Sequence, residues 1–221
     1  MERIKDPGSA ITHFIGMIAA IVVALSLLFR ASKRQEPVYL VSMAIFIISM
    51  ILLYAASTIY HSLDISERVN CVLRKIDHAM ISVLIAGTYT PVCLIVLDRV
   101  TGLILLGCIW GIAIVGIIIK LVWIQCPKWF SSALYITMGW LCVLTFGKLL
   151  NNLSREAFLW LLTGGIIYTI GGVIYGLKLP VFNAKHKYFG SHEIFHLFVM
   201  GGSACHIVFM YEFVVNMALQ H

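Results

Sequence analysis

Apolar residues run along this chain in long stretches, and short polar breaks separate them. The stretches are apolar all round rather than one-faced, which is the pattern of helices surrounded by lipid or by other helices. The polar breaks divide the chain into seven spans, at about 11–29, 38–61, 76–97, 101–123, 131–150, 156–177 and 192–217. Each is near the ~20 residues that a bilayer-crossing helix needs. The pattern predicts an all-α fold, a seven-transmembrane helix bundle, with residues 1–221 forming a single integral membrane domain. Pro7, Pro37, Pro127 and Pro180 fall at span edges, where a missing N–H costs least. Pro91 lies inside the third span and predicts a kink there. Gly107 with Gly111, and Gly172 with Gly176, repeat a small-xxx-small spacing that lets helices approach closely.

Composition agrees with lipid as the solvent. The chain is 61% hydrophobic and 12% charged, against about 25% charged in a soluble domain. The longest breaks, Ser62–Lys75 and Lys178–Ser191, are too short to hold an independent fold. Acidic and basic residues mix before Ile11, and the run to Phe29 is long enough to span. The first segment is therefore expected to remain as a helix and not to be a cleaved signal peptide. Six cysteines are scattered without CxxC spacing. They predict small hydrophobes, with neither a disulfide framework nor a thiolate metal site.

Charge changes the picture only at the loops. The net charge of +6 is spread over short loops rather than gathered in one patch, which argues against a nucleic-acid partner. The basic residues read as topology signals and anionic-lipid contacts. Arg3, Lys5, Arg68, Arg74, Lys75, Lys120, Lys128, Lys178, Lys185 and Lys187 share one side. Arg30, Lys33, Arg34, Arg99, Lys148 and Arg155 share the other. The bias predicts a multi-pass protein of the plasma membrane, with a cytoplasmic N-terminus and an outside C-terminus, against the opposing basic loop after the first span.

Span parity gathers the candidate chemistry. The second span ends at His61, the third starts with Asp77 in its first turn, and the seventh starts with His192 and His196. All of these ends lie on one side of the membrane, whichever side that is. His192 and His196 stand four residues apart, so a helix puts both imidazoles on one face. Ser57 stands four residues before His61 and shares its face. Polar groups inside a membrane need partners. Three neutral imidazoles with an open fourth position make a catalytic zinc site, whose water has a pKa near 7. A carboxylate beside that water takes its proton, and a hydroxyl such as that of Ser57 donates to an oxyanion. Interhelical hydrogen bonding is the rival account. An HxxxH pair, a third histidine and an aspartate at matched depth favour the metal.

The remaining histidines fit less well. His206 lies ten residues past His196, roughly 15 Å deeper, too far for the same metal. His13 starts the first span near the site and suits a supporting role. His78 leaves the helix about 100° from Asp77, so the two are not expected to face one centre. Glu193 reads as an interfacial charge, and His186 and His221 as solvated. Trp123 and Trp129 suit an interface belt, while Trp110 and Trp140 suit packing.

Several motifs in order resemble the hemolysin III family, within the progestin and adipoQ receptor superfamily, over nearly the whole chain. They are KDPGSAITHFIG with Asp6, Thr12 and His13; Ser57-x-x-x-His61 in ASTIYHS; Asp77 in KIDHAMISVLIAGTYTP; GGIIYTIGGVIYGLKLP; and HEIFHLFVMGGSACH with His206 downstream. The resemblance implies zinc on His61, His192 and His196, with Asp77 on the metal's water and Ser57 close by. A wider kinship with alkaline ceramidases suggests hydrolysis of a lipid amide. The compact form is similar to bacterial members and lacks the long N-terminal extension of the eukaryotic receptors, which weakens any carry-over of hormone binding. The leading expectation is a zinc-dependent hydrolase of a membrane lipid amide or ester, with Asp77 and Ser57 as catalytic residues. The alternatives are a non-catalytic membrane-homeostasis sensor or receptor with structural zinc, and a hemolysin III-type cytolysin.

Overall fold

The computed structural model describes residues 5–177 and 190–220. The readings made above for Arg3, Lys178, Pro180, Lys185, His186, Lys187 and His221 lie outside these residues. Among the described residues, seven helices are long and apolar enough to cross a membrane: α1 Pro7–Ser32, α2 Pro37–Ser62, α3 Glu67–Val96, α4 Arg99–Val122, α5 Lys128–Asn152, α6 Arg155–Leu177 and α7 Ser191–Asn216. Pro7 and Pro37 are the first residues of their helices, where a fixed φ and a missing N–H fit the free first turn. The Ser66 hydroxyl accepts the Val69 N–H at 3.3 Å and caps α3. The Asp98 carboxylate accepts the Thr101 N–H at 3.1 Å and caps α4. The same carboxylate takes the Lys148 ammonium at 2.6 Å, which ties the start of α4 to α5.

α3 begins at Glu67 rather than near Ile76. Its first turns, ERVNCVLRK, are too polar for a span but have no helix breaker. At Pro91 the α-helical turns stop, and a wider π turn covers Val92–Val96, with Leu97 N–H bonded to the Val92 carbonyl at 3.1 Å. The break expected at this proline takes the form of a change in winding, as such single π turns do. α5 has a related interruption, a 3-10 stretch at Trp140–Thr145.

The helices close into a ring: α1 packs on α2, α2 on α3, α3 on α4, α4 more lightly on α5, α5 on α6, α6 on α7, and α7 on α1. α3 lies deepest, with 72% of its most apolar window buried, against 28% or less for α1, α4, α5 and α6. The outward faces carry exposed Leu25, Val100 and Leu144 among many others. On a soluble protein so much exposed apolar surface would mark an interface; around a ring of spanning helices it is the lipid-facing wall. Glycines set the closest approaches. A Cβ on Gly102 would collide with the Cys93 carbonyl, and one on Gly176 would meet Ser132 Oγ at 3.0 Å. Gly107 and Gly111 meet nothing within 4 Å. Their spacing does not mark a helix contact among the described residues, because α4 turns that face outward.

Between α3, α5, α6 and α7 lies a cavity of about 160 Å³. Asp77, in the third turn of α3 rather than its first because the helix starts early, lines it with His192 and His196 of the first turns of α7, and Leu149 and Phe158 line it near the opposite face. Ile81, Leu84, Ile85 and Val92 form much of the wall between.

Candidate metal centre

Three helix ends meet at the head of this cavity. α2 arrives with His61 in its last turn. α7 departs with His192 and His196 on one face, their ring centroids 4.5 Å apart. The ligand atoms of His61, His192 and His196 all lie within 4.8 Å of one another. The structure therefore brings together the three histidines that parity places at one depth. Two of them, His61 and His196, are 2% exposed, so little water competes for their nitrogens.

Asp6, just before α1, fixes the first imidazole. Its carboxylate Oδ2 accepts from His61 Nδ1 at 3.0 Å, and its N–H donates to the His61 carbonyl at 2.9 Å. With Nδ1 carrying the hydrogen, His61 Nε2 presents its lone pair. That Nε2 stands 3.1 Å from His192 Nε2. Two nitrogens bound tetrahedrally at 2.0–2.1 Å from zinc stand about 3.3 Å apart, so the pair is spaced as two ligands of one ion. His13 stacks flat on His196, with centroids 3.6 Å apart and planes 9° from parallel. The His13 ring also meets the Tyr54 ring edge-on at 5.1 Å. Glu193 is more than an interfacial charge. Its Oε2 accepts the Gly190 N–H at 2.8 Å and caps α7, while its Oε1 accepts from Ser9 of α1 at 2.8 Å. Both histidines of α7 are thereby held in register with α1.

The donor set fits a metal ion. Three imidazoles with no thiolate among them suit zinc above harder cations, and a carboxylate on the far nitrogen of one is the usual orienting partner. Buried polar atoms without a partner are rare, yet both His13 nitrogens and Ser57 Oγ have none among the described residues. His13 and Ser57 line the same cavity as His192, His196 and Asp77. Several polar groups thus converge on one small space.

Asp77 is 7% exposed and lines the cavity. Its carboxylate is outside the three-nitrogen group, which leaves it beside the centre. Contrary to the expected divergence, His78 lines the same cavity, and its Nδ1 stands 3.0 Å from Asp77 Oδ2. The two are out of line for a hydrogen bond. His206, on a deeper turn of α7, is buried against the Tyr168 ring at 5.2 Å and takes no part in the nitrogen cluster. Trp110 and Trp140 donate to Thr90 and Thr169 at 3.2 and 2.9 Å, while Trp123 and Trp129 are exposed.

The orienting carboxylate gives a measurable expectation. Asp6→Asn removes a charged acceptor and keeps the shape. Loss of such a partner typically costs 10–100-fold in metal affinity. Competition against a chelator of known affinity should show the weakening, and an unchanged affinity would remove Asp6 from the site.

A family model described as "Haemolysin-III related" matches residues 1–207. The Hemolysin-3 of Bacillus cereus is 40% identical over 200 residues, covering 90% of this chain and 87% of its own. The Hemolysin-3 homolog of Bacillus subtilis (strain 168) is 38% identical over 205 residues, 92% of either chain. An adiponectin receptor protein of Drosophila melanogaster is 26% identical over 224 residues, covering 91% of this chain and 49% of its own.

Proposed function

The chain belongs to the haemolysin-III-related family of integral membrane proteins, and from that premise we propose that it is a zinc-dependent hydrolase acting on an amide or ester bond of a membrane lipid. One observation carries the reading. Three imidazole nitrogens lie within 4.8 Å of each other, and two of those histidines, His192 and His196, line a cavity that also holds Asp77 and Ser57 and continues between apolar walls toward the opposite face.

His61, His192 and His196 would hold the ion, which when bound supplies a Lewis acid and makes water nucleophilic near neutral pH. Asp77 takes a proton from the attacking water at its carboxylate and returns it to the leaving group. Ser57 Oγ, unpartnered in the wall, donates to the oxygen of the carbonyl under attack. Ile81, Leu84 and Ile85 hold the acyl chain and keep bulk water from the reacting bond, which strengthens each of these polar interactions. The test is turnover of ceramides, other lipid amides and lipid esters by the purified protein, with loss of turnover on chelation and recovery on adding zinc. No hydrolysis across the set would overturn the enzyme reading.

A second reading has its own support. The centre joins α1, α2 and α7 through Asp6, Ser9, His61 and Glu193, which is what a structural zinc in a receptor or sensor does. Chelation would then lower the unfolding temperature while no lipid is cleaved.

We further propose that the N-terminus and the metal centre face the cytoplasm at the plasma membrane, a reading that the charge bias supports. A cysteine introduced at Asp64, in a variant without the native ones, should react with a membrane-impermeant maleimide only in inside-out vesicles. Reaction in intact cells would invert the orientation.

A further inference from the structure

Lys120 is 1% exposed, at the end of α4. A buried ammonium is costly unless an anion and hydrogen bonds compensate it. No carboxylate pairs with it among the described residues. Its Nζ instead donates to Cys126 Sγ at 3.1 Å and to Ser131 Oγ. Cys126 Sγ and Ser131 Oγ are themselves 3.3 Å apart, and the Tyr135 ring lies 5.7 Å from the ammonium. Within this triangle only the thiol can become the missing anion.

We infer that Lys120 and Cys126 form a buried ammonium–thiolate pair, and that Cys126 is a site of oxidation by small hydroperoxides. The site is separate from the metal centre and does not depend on the proposed hydrolysis. Burial works against ionising the Cys126 thiol, but the hydrogen bonds from Ser131 and Lys120, with the charges of Lys120 and Arg74, outweigh it and hold the thiol below its ordinary range. A thiolate is the form that reacts.

The step balances with the pair alone. Cys126 Sγ attacks one oxygen of hydrogen peroxide, the S–O bond forms and the O–O bond breaks. Sulfur loses two electrons and the peroxide gains them. The leaving hydroxide takes a proton from Lys120 and departs as water. A sulfenic acid and a neutral amine remain, two uncharged groups where a buried ion pair stood. The product sits beside α5, where Tyr135 donates its hydroxyl hydrogen to the His78 carbonyl at 2.9 Å.

The chain carries its own control. Cys71 is exposed near the start of α3, at the same end of the bundle. An ordinary thiol is about 3% ionised at pH 7, so full ionisation raises the reactive fraction about thirtyfold. The lower intrinsic nucleophilicity of a more acidic thiol reduces the net gain to about threefold. The full-length protein would be pulsed with hydrogen peroxide, trapped with dimedone and read site by site by mass spectrometry. Cys126 should label about threefold faster than Cys71, and its alkylation by iodoacetamide should show a lower pH midpoint. Lys120→Met should bring both readouts to those of Cys71, while Lys120→Arg, which keeps the cation, should preserve them. Should Lys120→Met fail to fold, the wild-type pH midpoint and the Lys120→Arg variant decide. Labelling of Cys126 no faster than Cys71, or an equal pH midpoint, would overturn the pair.

Discussion

Purified without chelators, the protein should carry about one zinc per chain, and a variant with His192→Ala and His196→Ala should carry none. The expectation rests on the ligand count. Three imidazoles make a tight site, and one imidazole left on α2 makes only a weak one. Metal binding also stabilises the fold that presents the ligands, because the unfolded chain does not hold them together. The double variant should therefore unfold at a lower temperature, and added zinc should no longer raise it. Alanine keeps the first turns of α7 helical, and the Glu193 cap at Gly190 N–H is untouched. His206→Ala is the matched control. It removes a buried imidazole from the same helix, outside the nitrogen cluster, and should leave the zinc in place. Elemental analysis decides the matter: a wild-type protein without zinc, or a double variant that retains it, would break the assignment.

That a centre built from distant residues was legible follows from topology. Spans alternate in direction, so an even or odd number of crossings fixes which residues share a face. This reasoning needs no packing detail, and it brought His61, Asp77, His192 and His196 to one end. Their convergence within that end depends on helix rotation and neighbour order, which hydropathy does not encode. The supporting residues were less legible for the same reason. Asp6 precedes α1 at the same face as His61, but nothing in the pattern says that α1 packs on α2 there. Only its place in the resemblance marked it. His13 and Glu193 are likewise at the right depth, and their contacts appear only once α1 lies against α7. Asp77 Oδ2 and His78 Nδ1 stand 3.0 Å apart although the two residues are one helical step apart, which backbone angles alone would not suggest.

Helix ends show the same limit. Apolar runs located all seven helices, because lipid demands length and hydrophobicity. They could not locate the polar first turns of α3, which are helical without being apolar. Glycine spacing failed at Gly107 and Gly111 because a small face suits a bare helix exterior as well as a tight contact. It succeeded at Gly176, where Ser132 of α5 fills the space.

Asp77→Asn should abolish lipid hydrolysis while leaving zinc and fold intact. The amide has the size of the carboxylate, so the cavity wall keeps its shape. It has no basicity, so the attacking water keeps its proton. Removing a positioned general base typically costs 10²–10⁴-fold in rate. Zinc content should hold, because the Asp77 carboxylate is not among the grouped ligand atoms. The nearest polar loss is the 3.0 Å contact with His78, and the amide can still meet that ring through its oxygen. Ser57→Ala provides a graded comparison. It removes a single donor to the carbonyl oxygen, a loss of about 10²–10³-fold in kcat, and spares the proton transfer. The pH profile separates the two roles. Asp77→Asn should lose the acidic limb set by the carboxylate, and Ser57→Ala should keep it. With wild-type turnover established on a lipid amide or ester, an Asp77→Asn rate equal to wild type would remove Asp77 from the chemistry. Loss of zinc along with rate would instead make Asp77 a ligand, and the centre a closed site rather than an open one.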